Sequence, residues 1–156
     1  MIDVKHRLIQ QITQNLHSKL EFLQRAAEET HADSTSDENK AEGKYDTRGI
    51  EAAYLAGAQA QKLQSFEAAV AKLDAMEAED EPDSVLLGSL VVISSDQEEL
   101  NYLLLPAGAG SEIKEQQESY LVISPSSPIG TEVLGKELGA SVQIPQQEGC
   151  YISEIY

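Results

Sequence analysis

The sequence predicts an α+β fold, in which an N-terminal antiparallel pair of helices precedes a small antiparallel β domain with one short helix. Apolar residues recur at helical spacing in the first half of the chain, and short β-branched runs replace them from residue 85. Charge is also uneven. Residues 1–31 carry four acidic and four basic side chains, whereas residues 85–156 carry ten acidic ones and only Lys114 and Lys136. Such a difference indicates two structural units.

The first predicted helix covers residues 3–31, which contain neither Gly nor Pro. Its apolar positions recur in steps of three and four, at Ile9, Ile12, Leu16, Leu20, Leu23 and Ala27. The stripe is narrow and the opposite face is polar. A narrow stripe is typical of a coiled-coil seam.

A polar segment, residues 32–47, separates this helix from a second one predicted over residues 48–78. Asp46 or Thr47 is expected to cap the second helix. Its apolar positions are Leu63, Phe66, Val70 and Leu73, and small residues follow the seam nearer the loop. Two helices of similar length joined by a loop favour an antiparallel hairpin, across which we expect Tyr45 and Tyr54 to pack.

An acidic stretch at residues 77–83 contains Pro82, which is expected to end the second helix. The predicted organisation is therefore an arm at residues 1–79, a linker at 80–84 and a β domain at 85–156. In that domain, Ser127 is expected to cap a short helix that has Pro128 in its first turn and ends at Gly135. The predicted strands lie in five runs: 85–93, 100–105, 120–123, 142–144 and 150–155.

Composition excludes several classes of protein. The net charge of −16 argues against binding duplex nucleic acid or an anionic membrane, both of which need clustered Lys and Arg. Cys150 is the one cysteine, so it cannot form an intramolecular disulfide, and we expect it to be a small buried side chain. His6, His17 and His31 lack the spacing of a zinc site and are expected on the surface. Neither a signal peptide nor a membrane span is evident, which predicts a cytoplasmic protein.

A motif at residues 123–142 resembles the C-terminal signature of the Gre-type transcription elongation factors. It reads as a strand, then Ser127-Pro128-Ile129-Gly130, a short helix, Leu134-Gly135-Lys136, and a return to the last strands. The resemblance implies an N-terminal coiled coil followed by an FKBP-like domain. It also implies that the β domain, through the motif at residues 127–130, binds bacterial RNA polymerase at the rim of its secondary channel. The coiled coil would enter that channel.

The resemblance further implies that acidic residues at the tip of the arm approach the polymerase's Mg²⁺, where carboxylates could complete a metal shell. Gre tips carry D-x-x-E-N; here Glu38 and Asn39 match, but Thr35 stands where the Asp is expected. Candidates for the Mg²⁺ shared with the polymerase are Asp37 and Glu38. The full set of tip candidates is Asp37, Glu38, Glu42, Asp33 and Asp46. An ordinary solvated loop is the alternative interpretation.

On this interpretation the protein is not itself an enzyme and has no catalytic residue, no intrinsic cofactor and no small-molecule substrate. It either stimulates transcript cleavage or occupies the channel as an inhibitor. An adaptor that binds another protein through its coiled coil is a further alternative. Prolyl isomerase activity, which an FKBP-like fold suggests, is disfavoured because residues 85–156 contain no Phe or Trp to line a pocket.

Overall fold

The computed structural model describes residues 1–34, 47–96 and 98–156. Two long helices, α1 (Ile2–Ser34) and α2 (Thr47–Asp74), run antiparallel. His17 bonds to Asp74 near the base of the pair, and Gln24 bonds to Glu67 farther along. The predicted helical hairpin is therefore confirmed. Tyr45 lies outside the described residues, and the prediction that Tyr54 packs across the hairpin is wrong, since its side chain is 82% exposed.

The prediction that Pro82 ends the second helix is also wrong, because α2 ends at Asp74. After that residue the chain is held by contacts to other parts of the molecule. The Glu79 carbonyl accepts a hydrogen bond from the Lys5 ammonium, and Ala78 packs against the turn at Gly88. These contacts override the helical tendency of residues 75–78. The division into an arm, a linker and a β domain stays a prediction.

The second half of the chain forms one five-stranded sheet. Its strands are β1 (Leu90–Ser94), β2 (Glu99–Leu104), β3 (Glu112–Glu115), β4 (Glu118–Ile123) and β5 (Tyr151–Ile155). Their order across the sheet is β3-β4-β2-β1-β5. Three of the four pairings are antiparallel, as predicted, and β2 pairs with β4 in parallel. A short helix, α3 (Pro128–Val133), follows β4.

The sheet is covered on both faces, which explains why β1 is buried along its whole length. On one face, Leu90, Leu103 and Val122 pack against the base of the arm. The arm contributes its own buried side chains to that core, namely Leu8, Ile12, Leu16, Val70 and Leu73. On the other face, Val91 and Leu104 pack with Val133 of α3 and with the segment that precedes β5. The base of the arm and the sheet thus share a hydrophobic core.

Candidate functional site

The motif at residues 127–130 forms a tightly bonded entry to α3. The Ser127 hydroxyl accepts a hydrogen bond from the Gly130 amide at 3.1 Å and donates one to the Ser124 carbonyl at 2.7 Å. The predicted Ser127 cap is confirmed, and Pro128 occupies the first turn as expected. Because Pro has no amide hydrogen to satisfy there, this position suits it. The motif therefore holds the chain at a defined angle between β4 and α3.

Gly130 is required by space rather than by backbone angle. A Cβ at this position would lie 1.9 Å from the Ser124 carbonyl oxygen, far inside van der Waals contact. Any side chain would push the helix away from the end of β4. The glycine of the motif is thus explained by the close approach of α3 to the preceding loop.

The outer surface of this region is partly apolar. Pro128 is exposed, and Ile129 packs at the edge of the second core, which is the cluster of Val91, Leu104 and Val133 on the sheet face that α3 covers. The Leu134 and Leu138 side chains point into solvent, the latter 65% exposed. Exposed leucines beside a rigid turn are typical of a contact surface.

A charged pair holds the segment after α3 in place. The Lys136 ammonium lies 2.6 Å from a Glu132 carboxylate oxygen and also donates to the Ser141 carbonyl at 2.8 Å. The same Glu132 oxygen accepts the Gln143 amide at 3.0 Å. These hydrogen bonds, that from Lys136 foremost, lower the pKa of Glu132. The surface near Leu138 is therefore held by a fixed network.

The base of the arm is fastened by three consecutive residues of α1. Lys5 is fully buried, and its ammonium lies 3.5 Å from Asp80 besides its bond to the Glu79 carbonyl. His6 bonds to the same Asp80 at 2.6 Å, and Arg7 donates to Glu115 of β3 at 2.9 Å. Burial lowers the pKa of Lys5, an effect that Asp80 opposes. Sequence reasoning missed Lys5, since nothing in a Lys-His-Arg run signals burial.

Of the five tip candidates, the structure describes only Asp33. Asp37, Glu38, Glu42 and Asp46 lie outside the described residues, so their prediction stays open. Asp33 lies in the last turn of α1. Within residues 1–34, 47–96 and 98–156, no three His, Cys, Asp or Glu side chains could together hold a metal ion.

A cavity of about 270 Å³ beside the arm's base is lined by Glu99, Glu115, Glu118 and Glu154, together with Asn101. The carboxylates around it belong to no metal-binding group of the described chain. Arg7 already forms an ion pair with Glu115.

The buried Cys150, as expected for a small hydrophobe, lies in the second core. His6 and His17 are on the surface, as predicted. No helix in the described part is long and apolar enough to span a membrane.

No protein-family model and no curated protein matches the chain. Among solved structures, the crystal structure of GreA factor homolog 1 (Gfh1) of Thermus thermophilus is 21% identical, with a TM-score of 0.37, and the match covers 97% of this chain and 94% of that one. Thermus aquaticus Gfh1 is 19% identical over 92% of both chains, with a TM-score of 0.37. A structure described as the transcription factor Gfh1 is 22% identical over 95% of this chain and 92% of that one, with a TM-score of 0.36. At such low identities and TM-scores these are similarities only, and the function of this chain has to be inferred from its own residues.

Proposed function

We propose that this protein is a Gre-like regulator that binds bacterial RNA polymerase, places its helical arm in the polymerase's secondary channel and docks through the surface around α3. The proposal rests on the sequence motif at residues 123–142 and on the form of the arm. It excludes direct sequence-specific binding of DNA, in keeping with the net charge of −16.

The observation that carries the proposal is the projecting arm. Among the residues whose burial the structure describes, those farthest along the arm that are buried are Leu16 on α1 and Val70 on α2. From residue 17 to residue 34, α1 continues for about 27 Å, at 1.5 Å per residue. Beyond Leu16 and Val70 the pair adds only partly buried side chains to that core, such as Leu20 and Phe66, and a long helical pair of this kind is suited to reaching into a partner.

Docking is assigned to the motif at Ser127, Pro128, Ile129 and Gly130 and to the leucines beside it. The Ser127 cap and the close approach at Gly130 make this surface rigid, so binding orders few groups and costs little entropy. Leu134 and Leu138 supply apolar area that docking would remove from water.

At the tip, we assign to Asp37 and Glu38 the role of oxygen ligands toward Mg²⁺ held by the polymerase, with Glu42, Asp33 and Asp46 as further candidates. In this scheme the protein is not an enzyme and has no cofactor of its own. The polymerase performs the chemistry, which is either promoted or blocked by the arm.

Two measurements on purified polymerase test the proposal. Leu138→Asp should weaken polymerase binding by about tenfold or more, because it places a charge in an apolar contact, whereas Leu138→Met should bind like the wild type. Failure of the wild-type protein to bind polymerase would refute the proposal and favour an adaptor for another partner.

The second measurement is RNA cleavage in stalled polymerase complexes. If the tip supplies metal ligands, Asp37→Ala/Glu38→Ala should abolish stimulated cleavage while leaving polymerase binding unchanged. Binding by the wild type without any cleavage would instead identify an inhibitor that occupies the channel.

A further inference from the structure

The far half of the arm carries an apolar groove on one face. It is a cavity of about 440 Å³ between α1 and α2, with Leu23, Ala26 and Ala27 on one wall and Leu63 and Phe66 on the other. The small side chains of the two alanines form part of its lining. At one end the groove borders the core shared with the sheet, against which Phe66 packs, but no residue of the surface around α3 lines it.

The apolar surface extends beyond the groove itself. Phe22, one helical turn from Lys19 and Ala26, is 70% exposed, and Leu55, one turn from Gln59, is 60% exposed. Phe22 thus lies beside the groove on α1 and Leu55 lies beyond its Gln59 end on α2, while the groove itself runs about 10.5 Å along α2 from Gln59 to Phe66, or two helical turns. Large exposed apolar side chains that border an apolar groove on a protein this acidic mark an interaction surface.

Charge distinguishes this face from the opposite one. Two lysines, Lys19 and Lys62, line the groove, and no carboxylate does. The ammonium of Lys19 lies 5.6 Å from the centre of the Phe66 ring, so it stands over the apolar wall. Neither lysine makes an ion pair with another residue of the described chain.

The opposite face of the helix pair has the reverse character. There Glu28 and Glu67 line the space between the helices, and Glu67 accepts a hydrogen bond from Gln24 at 2.8 Å. Because charges in water are screened over about 8 Å at physiological ionic strength, the lysines act on a partner in the groove more strongly than the carboxylates farther along the chain do.

We infer that the groove binds an amphipathic helix of a partner protein, which buries apolar side chains against Leu23, Leu63 and Phe66 and pairs carboxylates with Lys19 and Lys62. Two side-by-side helices offer the ridges and grooves that a third helix packs into, and the alanines allow its close approach. The two turns of groove between Gln59 and Phe66 match the i, i+3 and i+7 anchors of such a ligand, which also span about two turns. Acidic residues flanking its apolar stripe would face the lysines on both walls, as the residues beside a coiled-coil seam do.

A second copy of this chain fits less well as the occupant. Pairing the same faces of two arms would bring Lys19 and Lys62 of both copies into one interface that supplies no carboxylate, and like charges placed close together repel. Single-stranded nucleic acid would use the lysines but would leave Leu23, Leu63 and Leu55 without an apolar partner. The inference does not depend on polymerase binding, and it can be tested without polymerase.

The test uses the full chain and a labelled, helix-stapled synthetic peptide with leucines at i, i+3 and i+7 and glutamates beside them. A second peptide has lysines in place of the glutamates. In fluorescence anisotropy the acidic peptide should bind and the basic one should bind at least about tenfold more weakly. Lys19→Glu/Lys62→Glu should weaken binding of the acidic peptide by about tenfold or more. Phe22→Ser/Leu55→Ser should weaken it as well without disturbing either hydrophobic core, because both side chains are already exposed.

The matched control is Lys72→Glu/Lys114→Glu, which changes the net charge equally but lies outside the groove. It should bind the acidic peptide like the wild type. Equal binding of the two peptides, or equal weakening by both double charge reversals, would overturn the inference. So would displacement of the peptide by a single-stranded RNA oligonucleotide, or self-association of the wild type that Phe22→Ser/Leu55→Ser abolishes, since these would identify a different occupant.

Discussion

At the scale of single residues, two glycines in helices have opposite surroundings. Gly57 of α2 has nothing within 4 Å of the place where a Cβ would be, whereas a Cβ on Gly130 would collide with the Ser124 carbonyl. The first glycine only weakens its helix, through the backbone freedom it has in the unfolded chain. Gly130, which has no side chain, lets the start of α3 approach the Ser124 carbonyl.

Alanine substitutions should therefore act in opposite directions. Gly130→Ala should lower the free energy of unfolding by about 3 kcal/mol or more, because the helix must shift to relieve the contact. Gly57→Ala should raise it by about 0.5–1 kcal/mol, by the difference in helix propensity. Urea unfolding followed by circular dichroism measures both. A Gly130→Ala protein as stable as the wild type would show that the approach of α3 to Ser124 is not needed.

The residues of the docking motif could be predicted because each performs a local task. A serine before a helix, a proline in its first turn and a glycine where the backbone is crowded have signatures that short-range geometry creates. Lys5 could not be found this way. Its burial depends on residues 79 and 80, which are distant in sequence, and the same run on an exposed helix would read identically.

At the scale of elements, α1 changes role along its length. Its first half buries Leu8, Ile12 and Leu16 against the sheet, while Leu20 and Leu23 in its second half are only partly buried. The apolar period continues through both halves, so the sequence pattern alone does not separate a core helix from an arm.

Truncating one leucine in each half measures that difference. Leu8→Ala should lower the free energy of unfolding by about 2–5 kcal/mol, because it leaves a cavity in the shared core. Leu23→Ala should cost about 1 kcal/mol, since the side chain is half-exposed and already borders an open groove. Thermal or urea unfolding of the two variants gives the comparison. Equal losses would mean that the far half of the arm is packed as tightly as the base.

The elements that sequence reasoning misplaced are those with little local signal. Strand β3 has the sequence Glu-Ile-Lys-Glu, in which Ile113 alone is apolar and buried, so no alternation could be read from it. The run at 142–144 is apolar enough for a strand, and Val142 and Ile144 do fill the core beside Cys150, yet the run forms only isolated bridges. The long helices, by contrast, repeat their period often enough to be predicted.

At the scale of the whole molecule, the shared core joins the base of the arm to the sheet. Leu8, Ile12 and Val70 belong to the same cluster as Leu90 and Leu103. The bonds from Lys5, His6 and Arg7 to residues 79, 80 and 115 add to this joint. Local stability follows buried apolar contacts. We therefore expect the boundary between the stable and the less stable region to cross the middle of the arm rather than the linker.

Amide hydrogen exchange should reveal that division. Amides of residues 8–16 and 70–73 should exchange as slowly as those of β1 and β2, because all of them open only when the shared core unfolds. Amides of residues 20–29 and 53–63 should exchange faster, through local opening of a helix pair that buries no residue fully. Leu8→Ala should accelerate exchange in the base of the arm and in the sheet together, while leaving the far half of the arm almost unchanged. Exchange that is uniform along each helix would contradict this picture, since it would mean that the arm unfolds as one unit independent of the sheet.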